Sequence, residues 1–229
     1  MCGRFTLRTP MTQLVRQFGL PDTTSPLNAR YNIAPSQAIA VVRTDLPDRV
    51  RRLSLLKWGL VPSWAKDEAL SAKMINARSE TLAEKPAFRA PLRRHRCLIP
   101  ADGYYEWQKV GSRKQPYYFR LRDHSPFAFA GLWDSWKRPN PDEPPLESCT
   151  IITTAANEIS QPIHDRMPAI LRESEYELWL NPDVQESEKL LHMLRPLDAS
   201  LMVAEPVSSF VNQVRNDGPR CIEVERHLF

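Results

Sequence analysis

Proline occurs 21 times in these 229 residues, against 7 glycines. Each proline holds φ near about −65° and removes a backbone donor, so it ends or kinks a helix and is tolerated in a sheet only at edges, strand starts or bulges. That density predicts many short segments joined by fixed turns and excludes long helices. The length suffices for one large domain or two small ones. Hydrophobic residues make up 42% and charged residues 25%, a balance that excludes wholesale disorder.

Local patterns divide the chain into such segments. Met11, Leu14, Val15 and Phe18 recur at helical spacing, with Thr9 as cap, Pro10 at the first position and Gly19 as the stop. Arg30 to Pro35 reads as turn-like. The apolar run Ala38 to Val42, a turn at Leu46-Pro47-Asp48 and the run Val50 to Trp58 read as a hairpin. Ser79 starts a short helix, and another spans Pro86 to Arg94. Strand-like runs follow at Cys97 to Ile99, Tyr104 to Lys109, Pro116 to Leu121, Phe127 to Trp133 and Cys149 to Thr154. Pro139 to Pro145 is a proline-rich acidic surface loop. Ser174 and Glu177 form a capping box, Ser187 starts a further helix, and Leu201 to Val203 returns to strand. With no repeat and no linker, residues 1–229 read as one α+β domain. Sequential, hairpin-connected strands predict a mostly antiparallel, barrel-like sheet with short peripheral helices.

The net charge of +4 permits a polyanionic partner without requiring one. No apolar run spans a bilayer, and the first residues lack a basic-then-apolar secretory pattern, so the expectation is a cytoplasmic protein, nucleoid-associated when bound to DNA. Cys2, Cys97, Cys149 and Cys221 are far apart, with no Cys/His cluster; neither a metal nor a cofactor is indicated, and the last three read as buried fillers.

Cys2 stands apart from the others. Its small side chain suits removal of Met1 by an aminopeptidase, which would leave a cysteine with a free α-amine and a thiol. The two groups titrate near ~8 and ~8.5 when unperturbed. Such a 1,2-aminothiol captures an aldehyde twice, as an imine and then as a five-membered thiazolidine. An N-terminal nucleophile also serves acyl transfer, with the α-amine as base. By itself, a cysteine at this position reads more simply as accidental.

Four polar residues interrupt apolar surroundings: Arg4 beside Cys2, Asn76 after Met74-Ile75, Glu106 between Tyr105 and Trp107, and His164 within Pro162 to Pro168. Glu106 either faces solvent from an alternating strand or is desolvated and raised toward proton-transfer duty. His164 is either a loop histidine bonded to backbone or a partner in that chemistry. Asn76 reads also as a turn residue, and Arg78 as a surface charge. Nucleophile-elbow, zincin, P-loop and dinucleotide motifs are absent.

Six segments together resemble one family. They are Met1 to Phe5, Arg30 to Pro35, Trp58 to Trp64, Ile75 to Thr81, Cys97 to Trp107 and Ile163 to Pro168. In order and spacing they are similar to the SRAP (SOS-response-associated peptidase) proteins, which process abasic sites, and the resemblance covers nearly the whole chain. It implies covalent attachment of Cys2 to the ring-opened abasic sugar in single-stranded DNA as a thiazolidine, a chemistry that needs only a monomer. It further implies that Asn76 orients the sugar or the N-terminus, Glu106 shuttles protons and His164 serves the sugar oxygen. Arg4, Arg78 and Arg166 would hold phosphates, while Trp64 and Pro35 would form a wedge for bases. Ala65 follows Trp64 where some relatives carry a second aromatic, so the wedge is smaller here. The family name adds a peptidase role, possible self-removal of Met1 and crosslink reversal. Two rival readings stand beside this: an N-terminal-nucleophile thiol peptidase, and a non-covalent single-strand-binding module with Cys2 incidental.

Overall fold

The two runs flanking the Leu46–Asp48 turn pair as expected, and they form part of a closed barrel. The computed structural model describes residues 2–21, 26–46 and 48–225; Met1 and Pro47 lie outside them. In chain order the elements are β1 (Phe5–Leu7), α1 (Met11–Phe18), β2 (Arg30–Ile33), β3 (Ala38–Thr44), β4 (Arg51–Trp58), β5 (Asn76–Arg78) and α2 (Pro86–Arg94). Then come β6 (Arg96–Ala101), β7 (Gly103–Val110), β8 (Arg113–Leu121), β9 (Phe127–Trp136), β10 (Leu146–Ala155), β11 (Arg166–Pro168) and β12 (Ile170–Leu171). The last are α3 (Tyr176–Leu180), α4 (Ser187–His192) and β13 (Met202–Pro206).

Strands β3, β4, β10, β9 and β6 close into a ring. Four of the five joints are antiparallel; the ring shuts where β10 lies parallel to β4, with Ser148 opposite Lys57 and Cys149 opposite Trp58. β6, β9 and β10 carry apolar runs because they are covered on both faces, and every residue of β6 is buried. β5, β11 and β12 extend this sheet. The second sheet runs β13-β8-β7-β1-β2, its centre the β7–β8 hairpin. Gly111 turns that hairpin at φ 58°, a left-handed conformation costly for a side chain with Cβ. Phe5 of β1 joins the sheets, its ring edge-on to Trp58 at 5.3 Å and to Phe129 at 5.7 Å. Each such large buried side chain contributes about 1.5–3 kcal/mol.

Two helices, α2 and α3, end on a buried cation. Arg96, only 5% exposed, donates to the carbonyls of Leu92 and Arg93 at the end of α2 and of Trp179 and Asn181 at the end of α3, at 2.5–2.7 Å. Burial pulls its pKa down to about 10. Helix ends leave carbonyls without partners, and one guanidinium fork satisfies two sets here.

Several local expectations are corrected. Residues Arg30–Ile33 form an edge strand instead of a turn, because Asn32 is buried under the C-terminal segment and bonded there. Thr9 does not cap α1; its hydroxyl donates to Asp102, and Pro10 occupies the cap position. The capping carboxylate is Glu175, which accepts the Arg172 N–H at 2.8 Å, two residues before the expected pair. Gly19 ends α1 at φ 62°, and residues 139–145 form the exposed loop between β9 and β10, both as read. No described helix is long and apolar enough to cross a membrane. All four cysteines are free and buried.

Candidate active site and nucleic-acid interface

Cys2 lies in the crevice between the two sheets, fully buried. β1 runs antiparallel to β7, with Phe5 opposite Tyr104 and the Tyr105 N–H donating to the Arg4 carbonyl at 2.9 Å. That register brings Glu106 up beside the start of the chain. From the barrel side, β5 is held parallel to β10, with Asn76 opposite Ile151. Asn76, the first residue of β5, donates its amide to the Cys2 carbonyl at 2.9 Å. Its own Oδ1 is buried without a hydrogen-bond partner among the described residues.

The His164 turn is tied to the same strand. The Tyr104 hydroxyl meets Ser160 Oγ at 3.3 Å and the Gln108 amide donates to the Pro162 carbonyl at 3.2 Å, both from β7. The His164 N–H closes the turn onto the Ser160 carbonyl at 2.9 Å. His164 Nδ1 is 3.0 Å from the Arg166 N–H and 2.9 Å from an Asp165 carboxylate oxygen, contacts that require opposite protonation of Nδ1. The Asp165 side chain is 86% exposed and solvated, so the backbone contact dominates. Nδ1 then accepts, which leaves the ring proton of neutral His164 on Nε2.

Glu106 is only 5% exposed, so the desolvated one of its two readings holds. Burial raises its pKa. Burial, and after it the Glu106 charge, push the Cys2 thiol far above the ordinary thiol range, so the sulfur is protonated at neutral pH. The site therefore couples a neutral thiol to a carboxyl group able to hold a proton, an arrangement suited to general acid–base work.

Two clefts are lined by residues that adjoin Cys2, one by Gly3 and the other by Asn76. One, of about 480 Å³, is lined by Gly3, Arg4, Glu106, Trp107, Lys114, His164 and Asn212. The other, also about 480 Å³, includes Trp64, Lys73, Asn76, Arg78, Lys85 and Phe88. Trp64 is 58% exposed on a loop held rigid by three contacts: the Ser63 N–H to Asp134 and the Ala65 N–H to Pro62, both at 2.8 Å, and the Trp136 indole to the Ala65 carbonyl at 2.7 Å. Ala65 itself is buried against Val61 and Trp136, so a second exposed aromatic has no place there.

Of the nine residues singled out by sequence, Arg4, Glu106 and His164 share the first cleft and Trp64, Asn76 and Arg78 the second, while Cys2 lines neither and is held by Asn76. Pro35 is half-buried between β2 and β3 and lines neither cleft. Arg166 is committed: its guanidinium grips Glu80 through two bonds, 2.5 and 3.0 Å, and donates to the Thr153 carbonyl at 2.7 Å. Sequence reasoning missed Lys73, Lys85, Phe88, Lys114 and Asn212, which carry no motif and reach the clefts through tertiary packing. Trp107 lay inside the strand already singled out, and its neighbour Glu106 was the available signal.

Comparison with known proteins agrees with the motifs. The family model described as SOS response associated peptidase (SRAP) matches residues 1–214. The chain is 46% identical over 228 residues to the abasic site processing protein YoqW of Bacillus subtilis, covering 97% of this chain and 99% of that one. It is 38% identical to the abasic site processing protein HMCES of Gallus gallus, over 84% of this chain and 65% of that one. A crystal structure of a Bacteroides thetaiotaomicron protein superposes with a TM-score of 0.87 at 29% identity, covering 98% of this chain and 100% of its own. The chain belongs to the SRAP family.

Proposed function

We propose that this chain processes abasic sites in single-stranded DNA, and that Cys2, once Met1 is removed, attaches itself to the lesion as a thiazolidine. The observation that carries the reading is that Asn76 holds the Cys2 carbonyl at 2.9 Å while Glu106 and His164 share the cleft lined by the next residue, Gly3. The names of the relatives supply the substrate class.

The chemistry uses the aldehyde of the ring-opened sugar. The freed α-amine attacks the aldehyde carbon, and loss of water leaves an imine. The Cys2 sulfur then adds to the imine carbon while its proton passes to the nitrogen, so the net change is the loss of one water. Glu106, its pKa raised by burial, donates to the departing oxygen and takes protons back from the amine. His164, with its proton on Nε2, serves the sugar ring oxygen during opening. Positioned proton transfers of this kind supply ~10²–10⁴-fold each. Arg4 and Arg78, one in each cleft, meet phosphates, and Trp64 supports the bases.

The test uses Met1-processed protein and a single-stranded oligonucleotide with one abasic site. A heat-stable adduct on a denaturing gel, at the mass of protein plus DNA less one water and absent with Cys2→Ala, is the expected result. Intact DNA affinity with no adduct from the wild type would instead select the non-covalent module, and cleavage of peptides by the same protein the thiol peptidase.

A further inference from the structure

The segment after β13 folds back over β2 and walls one side of the Glu106 cleft. Asn32 donates to the carbonyls of Val211, Gln213 and Asn216 at 3.1, 3.0 and 2.7 Å. The Asp217 carboxylate accepts the backbone N–H of Tyr31 at 2.5 Å and of Asn32 at 3.0 Å. Arg4 donates to the Val211 carbonyl at 3.0 Å. These bonds set the height of the short 3-10 turn Ser209–Asn212 above the cleft.

Asn212 ends that turn and lines the cleft with Glu106, His164, Arg4 and Lys114. Its Oδ1 accepts the Trp107 indole N–H at 2.7 Å. An indole nitrogen only donates, so this bond fixes the amide's orientation: oxygen toward Trp107, nitrogen away from it. The residue is exposed, and among the described residues nothing accepts from its Nδ2. An oriented pair of N–H donors thus stands beside two cations at the rim of the site.

We propose that Asn212 is a further substrate-binding residue, which donates a hydrogen bond to a phosphodiester oxygen next to the abasic sugar. The proposal rests on the reading of this cleft given above. Arg4 and Lys114 favour an anionic acceptor there, and a neutral amide adds direction to their charge. Trp107 is then the positioning residue for Asn212.

Two variants separate this role from a structural one. Asn212→Asp keeps the oxygen that Trp107 needs and removes the donor; Asn212→Ala removes both without adding charge. Adduct formation is followed against oligonucleotide concentration, with affinity for an undamaged single strand measured by fluorescence anisotropy. The expected result is a half-saturating concentration raised about tenfold in both variants, the scale of one hydrogen bond, with the rate at saturation within about twofold of wild type. A neutral methylphosphonate at the phosphate beside the lesion should shrink that penalty. Variants that saturate like wild type, or a loss seen with Asn212→Asp alone, would overturn the proposal. If the wild type forms no adduct, the Cys2 reading fails, and anisotropy still decides Asn212: weaker binding by both variants supports it and unchanged binding overturns it.

Discussion

Asn32→Ala offers the sharpest test of how the fold supports the site. Asn32 is fully buried in β2, and its side chain does two jobs. Its amide feeds three carbonyls of the C-terminal segment, and its Oδ1 accepts the Arg4 guanidinium at 2.8 Å. Two amide protons shared among three acceptors amount to two neutral hydrogen bonds, at about 1 kcal/mol each. The bond from Arg4 is charge-assisted, but Arg4 is only half-buried and regains water when released, which discounts it to about 1 kcal/mol. The expected loss is therefore about 3 kcal/mol, which for a chain of this size lowers the melting temperature by about 6–12 °C. Thermal melting followed by circular dichroism measures it. Hydrogen exchange should localise the change to residues 208–217 and spare the barrel. Asn32→Asp nearly preserves volume while removing both donors, so it should cost at least as much. A shift below about 2 °C for both variants would refute the account of Asn32 as the anchor of this segment.

Three further outcomes are expected. Gly103→Ala should be severely destabilised, because a Cβ there meets the Tyr118 ring at 2.4 Å and the Phe119 carbonyl at 2.5 Å; a urea titration should show a loss of about 3 kcal/mol or failure to fold. Glu106→Gln should be more stable than wild type at neutral and alkaline pH. Burial raises Glu106, so its contribution to wild-type stability is full below the ordinary carboxylate value near ~4.3 and is lost as pH rises through the raised one; a pH series of melting temperatures that shows no widening gap would contradict this. Trp64→Ala, at an exposed and rigid position, should leave the melting temperature within about 2 °C while weakening single-strand affinity by the ~1–3 kcal/mol of one stacked base, measured by anisotropy.

Most of the fold was legible where local chemistry and packing agree. α1 shows a helical stripe and a glycine stop, and its Leu14 and Phe18 are buried as that stripe requires. The barrel strands β6, β9 and β10 show continuous apolar runs because both faces are covered. β2 was misread because its polar residues look like a turn, whereas Asn32 is satisfied by carbonyls more than 170 residues away. Thr9 looked like a cap, yet Asp102 from the β6–β7 corner captured its hydroxyl.

The site divides along the same line. The sequence by itself determined which chemistry is present: a cysteine at position 2, a glutamate between aromatics, a histidine in a proline-bounded turn, and six motifs in family order. Residue types and short spacings carry that information, since reactivity belongs to the side chain. Only the tertiary structure decided what surrounds those groups. The parallel β4–β10 joint that closes the barrel, the burial that protonates Cys2 and raises Glu106, the capture of Arg166 by Glu80 and the arrival of Asn212 at the cleft are all contacts between distant segments. Each depends on desolvation and on pairing across long loops, quantities set by the packed whole and absent from any local stretch of chain.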